Sequence, residues 1–181
     1  MDAAQQSAAG QTGHGQYLTF RLGVERFAMP SCAIREIIRL PALTGVPLMP
    51  DFLRGVINVR GTVLPVMDLS LRLGLAATVF TKRTCVAILE LPRGRRDGTI
   101  GVLVDAVHTV LSLDASHIQA LTPVHPRIRS EFILGTVAQD GGMTVLDSQT
   151  VFDLEALAAA IGRPSAERFS LAPAEAARGA P

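Results

Sequence analysis

Two short apolar segments, Gly55–Val59 and Thr62–Met67, flank the dipeptide Arg60-Gly61 and leave the chain little choice of course at that point. Glycine reaches a positive φ at low cost, so the segments read as a β-hairpin folded about that pair. The same punctuation recurs along the chain. Leu18, Phe20 and Leu22 alternate with Tyr17, Thr19 and Arg21, the period of a strand, and Gly23-Val24-Glu25 turns it into a partner at Arg26–Met29. Cys85–Leu91, Ile100–Val104 and Val107–Leu113 are further β-like runs, with Asp105 as a turn residue between the last two. Asp140-Gly141-Gly142 separates Phe132–Gln139 from Met143–Leu146 as another hairpin.

Stretches suited to helix are short. One turn follows Pro30, with Ser31 as its cap and Ile34 and Ile37 on it. Another spans Leu69–Leu73, capped by Asp68 and stopped by Gly74. A C-terminal helix over 153–162 puts Leu154, Leu157 and Ile161 on one packing face. The sum is roughly nine or ten strands with minor helices, an all-β chain of barrels or a sandwich rather than alternating βαβ units. Two small barrels sharing a core fit this spacing, and periodicity alone does not choose barrel over sandwich. Residues 1–15 read as a flexible leader, 16–162 as the folded body and 163–181, rich in Ala and Pro, as a disordered tail.

Within the greasy hairpin, Asn58 and Arg60 resist burial and should point outward from a rigid corner. A guanidinium held there is suited to gripping a partner's carboxylate or carbonyls. Hydrophobic residues make up 48% of the chain and charged ones 18%, enough for a core with apolar surface left for partners. A net charge of +1, one Tyr and no Trp weigh against nucleic-acid binding. Arg93, Arg95 and Arg96 are the one feature that would serve the alternative, a small-barrel nucleic-acid-binding module.

Chemistry is hard to place. His14, His108, His117 and His125 form no His-Glu-x-x-His or Cys/His ligand set, and no nucleophile elbow or phosphate-cradling loop occurs. No catalytic residue, metal or cofactor is therefore expected. Cys32 and Cys85 allow one long-range disulfide, although two buried thiols in a reducing cytoplasm is the favoured reading. With no secretory signal and no apolar run of about 18 residues, the expectation is a soluble cytoplasmic protein.

The opening Phe20-Arg21-Leu22-Gly23-Val24-Glu25-Arg26-Phe27-Ala28-Met29-Pro30, then Arg35-Glu36-Ile37-Ile38, Val46-Pro47 and the hairpin run Phe52 to Leu69, follow one another in a specific order. Gly101-Val102-Leu103-Val104-Asp105-Ala106-Val107 and Ile133-Leu134-Gly135 complete it. Together they resemble the CheW-like domain family of bacterial chemotaxis over most of 17–161. Val59 stands where relatives commonly carry Leu, the Arg93–Arg96 loop is more basic than the pattern, and Thr144–Asp153 is longer or more polar.

The resemblance implies two intertwined five-stranded β-barrels with short helices and no catalytic centre. It implies an adaptor that couples the cytoplasmic tip of membrane chemoreceptors to the regulatory domain of a CheA-type histidine kinase, in flagellar chemotaxis or a related pathway controlling pili, surface attachment or a second messenger. It assigns receptor contact to Glu36, Asn58 and Arg60, with Ile34 at an apolar position beside them, and makes Gly55 a glycine that resists replacement. Gly55 and Gly61 are read as structural glycines of the hairpin.

Overall fold

A computed structural model describes residues 15–91, 98–120 and 127–153 of the 181-residue chain. The expectations for residues 1–14, the Arg93–Arg96 loop, the terminal helix beyond Asp153 and the tail lie outside the described residues. Strands β1 (Gly15–Leu22) and β2 (Glu25–Pro30) open the fold. They are followed by β3 (Ile34–Arg39), β4 (Leu53–Val59), β5 (Thr62–Asp68), a short helix α1 (Leu69–Arg72), β6 (Cys85–Leu91) and β7 (Gly98–Val104). Then come β8 (Ala106–Leu113), β9 (Ile133–Val137), β10 (Met143–Leu146) and α2 (Ser148–Val151).

The strands form two five-stranded sheets, β8-β1-β2-β10-β9 and β3-β6-β7-β5-β4. The chain begins in the first sheet, builds the second and returns, so the halves are intertwined. Their wiring is equivalent. Each has a central hairpin (β1–β2, β6–β7) joined in parallel to the second strand of another hairpin (β9–β10, β4–β5). Among the described residues, no ladder joins the two edge strands of either half. One bridge does so instead. Thr44, beyond β3, exchanges two backbone hydrogen bonds with Val56 of β4, and Gln119, beyond β8, does the same with Thr136 of β9. The expected barrels are thus sheets whose edges approach at one isolated bridge without closing, and the all-β class is as anticipated.

Both faces of the inner strands are covered, which explains their unbroken apolar runs. Alternate residues serve different cores. Phe20, Phe27, Met67, Leu89, Val102 and Leu146 meet between the sheets. Ala28, Val137 and Val145 fill the inside of the first half, while Ile57, Val66, Ile88 and Leu103 fill the second. A hydrophobic content near one half is what three cores in so short a chain require.

Asp68 caps α1 as the sequence suggests, although Leu71 N–H is a distant donor at 3.4 Å. The fully buried carboxylate also accepts from Thr78 N–H and Oγ1, each at 3.0 Å, and lies 3.7 Å from Arg54. Asp105, between β7 and β8, ties that junction to the β1–β2 turn: its carboxylate accepts from Gly23 N–H at 2.5 Å and its own N–H donates to the Arg21 carbonyl at 3.1 Å.

Two expectations need correction. The helical turn after Pro30 covers only Ser31–Ala33, without a side-chain cap, and Ile34 and Ile37 belong to β3. Alternation of half-buried and exposed residues from Ile34 to Arg39, with three β-branched side chains, favours a strand over a helical face. The cysteines are free and unpaired, but Cys32 is exposed rather than buried and Cys85 only half-buried.

Candidate functional site

Val59 pairs with Thr62 across the β4–β5 hairpin, so the loop contains only Arg60 and Gly61. Their φ values are 52° and 87°, both left-handed, as a type I′ turn demands. Asn-Gly is the low-cost choice for such a turn. Here arginine takes the first position, at a penalty of about 1 kcal/mol for a side chain with a Cβ. Asn58 relieves part of the strain, since its Oδ1 accepts from Gly61 N–H at 2.8 Å. Arginine at this position is therefore not explained by the stability of the turn.

The guanidinium of Arg60 reaches across to β3 and donates from Nη2 to Glu36 Oε2 at 2.9 Å. Its side chain remains 77% exposed, whereas that of Glu36 is 23% exposed. Arginine is therefore the accessible partner of the two. It is neither free, as the hairpin alone suggests, nor folded into the interior. Glu36 does not pair with Arg35 or Arg39. Arg35 pairs instead with Glu90 at 3.3 Å and also borders the cleft between the hairpin and β3. That cleft, of about 250 Å³, is lined by Glu36, Val59, Leu64, Ile88, Thr99 and Arg60 among others.

Of the sequence-derived residues, Glu36 and Arg60 are brought into contact. Asn58 is exposed on the same hairpin but is engaged with its own turn. Ile34 is half-buried and packs against the shared core, with a β-bulge between it and Glu36. Gly61 lies in the turn with open space around it, whereas Gly55 sits inside β4 against Thr44. The cleft residues Leu64, Ile88 and Thr99 were not foreseen. They come from three strands, and only the register of the sheet brings them together. Val63, 63% exposed on β5, adds an apolar surface beside the hairpin.

The ion pair contributes little to the fold because its cation faces water. Arg60→Ala keeps the left-handed penalty and loses only that pair. Its stability is expected to fall by less than about 1 kcal/mol in urea unfolding, and less still at high salt. No group of three or more His, Cys, Asp or Glu able to hold a metal occurs among the described residues. Nor is any described helix long and apolar enough to cross a membrane.

Comparisons with known proteins bear on the chain as a whole. The family model described as CheW-like domain matches residues 16–159. The chain is 33% identical to the chemotaxis protein CheW of Rhizobium meliloti, covering 79% of this chain and 90% of that protein. It is 30% identical to the chemotaxis protein CheW of Klebsiella aerogenes, over 76% and 81% respectively. The crystal structure of the scaffolding protein TtCheW from Thermoanaerobacter tengcongensis is similar with a TM-score of 0.67 and 26% identity, covering 80% of this chain and 91% of that one.

Proposed function

The chain belongs to the CheW-like domain family, and on that premise we propose that it is a non-catalytic adaptor in chemotaxis signalling. In this reading it couples the cytoplasmic tips of chemoreceptors to a CheA-type histidine kinase and works in the cytoplasm beside the receptor array. The observation that carries the receptor-facing part is Arg60, an exposed cation fixed at a strained turn and braced by Glu36 above a cleft.

A side chain already held in place loses little freedom on docking, and arginine anchors commonly dominate the energetics of such contacts. The receptor tip meets Arg60, Glu36 and Asn58, with Val63 as apolar neighbour. The kinase's regulatory domain takes a separate surface. Each contact is modest alone and gains strength when many copies assemble. Nothing in this scheme asks the chain to make or break a bond.

The test is reconstitution of receptor fragments and kinase on a lipid or template surface, with and without the protein. Added protein is expected to recruit kinase to receptor and to raise receptor-controlled autophosphorylation. Kinase recruitment equal in its absence would reject the adaptor role.

A further inference from the structure

Asp68 and Asp147 hold equivalent places in the two halves, each ending a strand and capping the short helix that follows. Phe52 and Phe132 are likewise equivalent. The Phe52 carbonyl accepts from Asp68 N–H at 2.7 Å and the Phe132 carbonyl from Asp147 N–H at 2.9 Å. Counting four residues on from each aspartate makes Arg72 of α1 the counterpart of Val151 of α2.

These counterparts touch. Arg72 Nε donates to the Val151 carbonyl at 3.1 Å. Equivalent positions in contact lie on the axis that relates the halves. A faithful repeat would set like against like there. Two arginines would repel, and two valines would leave the carbonyl at the end of α2 without this donor. The two short helices differ at each of their four positions, and at this one the difference lets the counterparts bond.

The guanidinium is also flanked by both equivalent rings, 5.5 Å from the centre of Phe52 and 5.0 Å from that of Phe132. Arg129 covers Phe132 at 4.4 Å and pairs with Glu131. Burial and then the neighbouring Arg129 lower the pKa of Arg72, while Asp153 and Glu131 act in the opposite sense. An arginine remains charged at neutral pH under such shifts. Apolar packing between the sheets is non-directional. Asp105, the one residue between β7 and β8, adds direction at one end; a planar cation with ring contacts on both halves and one aimed hydrogen bond adds it at Arg72.

We infer that Arg72 is a positioning residue that fixes the orientation of one sheet on the other, so that docking at the Arg60 hairpin is transmitted rigidly to a partner held by the other half. The transmission clause rests on the adaptor reading; the orientation clause does not.

The experiment separates them. In full-length protein carrying Cys32→Ser and Cys85→Ala, spin labels at Val24→Cys and Val63→Cys report the distance between the sheets; both positions are exposed. A narrow distribution is expected, and Arg72→Met should broaden or shift it while circular dichroism stays native. Arg72→Lys retains charge without the planar fork and should fall between. An unchanged distribution in folded Arg72→Met overturns the inference. In unlabelled protein, Arg72→Met should bind receptor fragment as wild type does yet lose about fivefold or more in kinase activation, the low end of coupling between sites. Full activation despite a broadened distribution overturns transmission alone. Failure of the wild type to bind receptor would reject the adaptor reading, and the distance measurement would still decide the role of Arg72. If Arg72→Met does not fold, the lysine variant carries both measurements.

Discussion

Gly55→Ala is expected to destabilise the protein by about 4 kcal/mol, against about 1 kcal/mol for Gly61→Ala six residues away. An ideal Cβ at Gly55 would lie 2.1 Å from the Thr44 carbonyl oxygen and 2.8 Å from its carbon. Both are backbone atoms and cannot turn aside as a side-chain end can. The φ of 138° is also one that residues with a Cβ rarely adopt. Relief requires moving Thr44 away, and Thr44 is the residue whose two hydrogen bonds to Val56 join the edges of that half. The substitution therefore combines strain with loss of that bridge.

Gly61 has a similar positive φ of 87° but no atom within 4 Å of an added Cβ, so only the backbone penalty remains. Gly135 repeats the close approach of Gly55 in the other half, without its positive φ: an added Cβ would lie 2.5 Å from the Gln119 carbonyl oxygen. Thermal unfolding checks the ranking. Gly55→Ala should melt about 10 °C or more below wild type, with Gly61→Ala only a few degrees below. Equal melting temperatures for the two variants would refute the close approach at Thr44.

The two glycines show what a sequence reveals and what it hides. Gly61 is legible because the apolar segments on either side locate a turn by local pattern alone. Gly55 looks the same on paper, yet its reason lies eleven residues upstream, in a segment threaded between prolines that meets β4 only in the folded sheet. Ile34 and Ile37 teach a similar lesson. A cap-like serine after proline suggested a helical turn, but pairing of β3 with β6 decided the conformation.

The hairpins, Asp68 as a cap and the all-β class followed from period-two patterning and turn chemistry. The site was half legible. Arg60 and Asn58 stand out as polar residues in a greasy hairpin, whereas the pairing of Arg60 with Glu36 depends on bringing β3 and the hairpin together across the sheet. Arg72 carried no local signal at all. Its setting emerges only when the two halves are compared.

The proposed receptor contact sets the second large expectation. Arg60→Ala should weaken receptor binding by about 2 kcal/mol, or roughly thirtyfold in Kd, as expected for an arginine anchor at the centre of an interface. Glu36→Ala should weaken it less, because Glu36 is the more buried partner and acts by bracing the guanidinium. Arg60→Asn is the more telling variant. Asparagine suits the left-handed position better than arginine, so the fold gains what the turn had forfeited while the cation is lost. Stability and binding should then move in opposite directions, which general damage to the protein does not produce.

The decisive measurement is a calorimetric titration of a receptor cytoplasmic fragment into wild type and Arg60→Asn, with the melting temperature recorded on the same samples. The outcome that supports the receptor-binding hairpin is a melting temperature equal to or above wild type, together with a roughly thirtyfold loss of affinity. Wild-type affinity in the stable Arg60→Asn protein would show that the receptor does not dock through this turn.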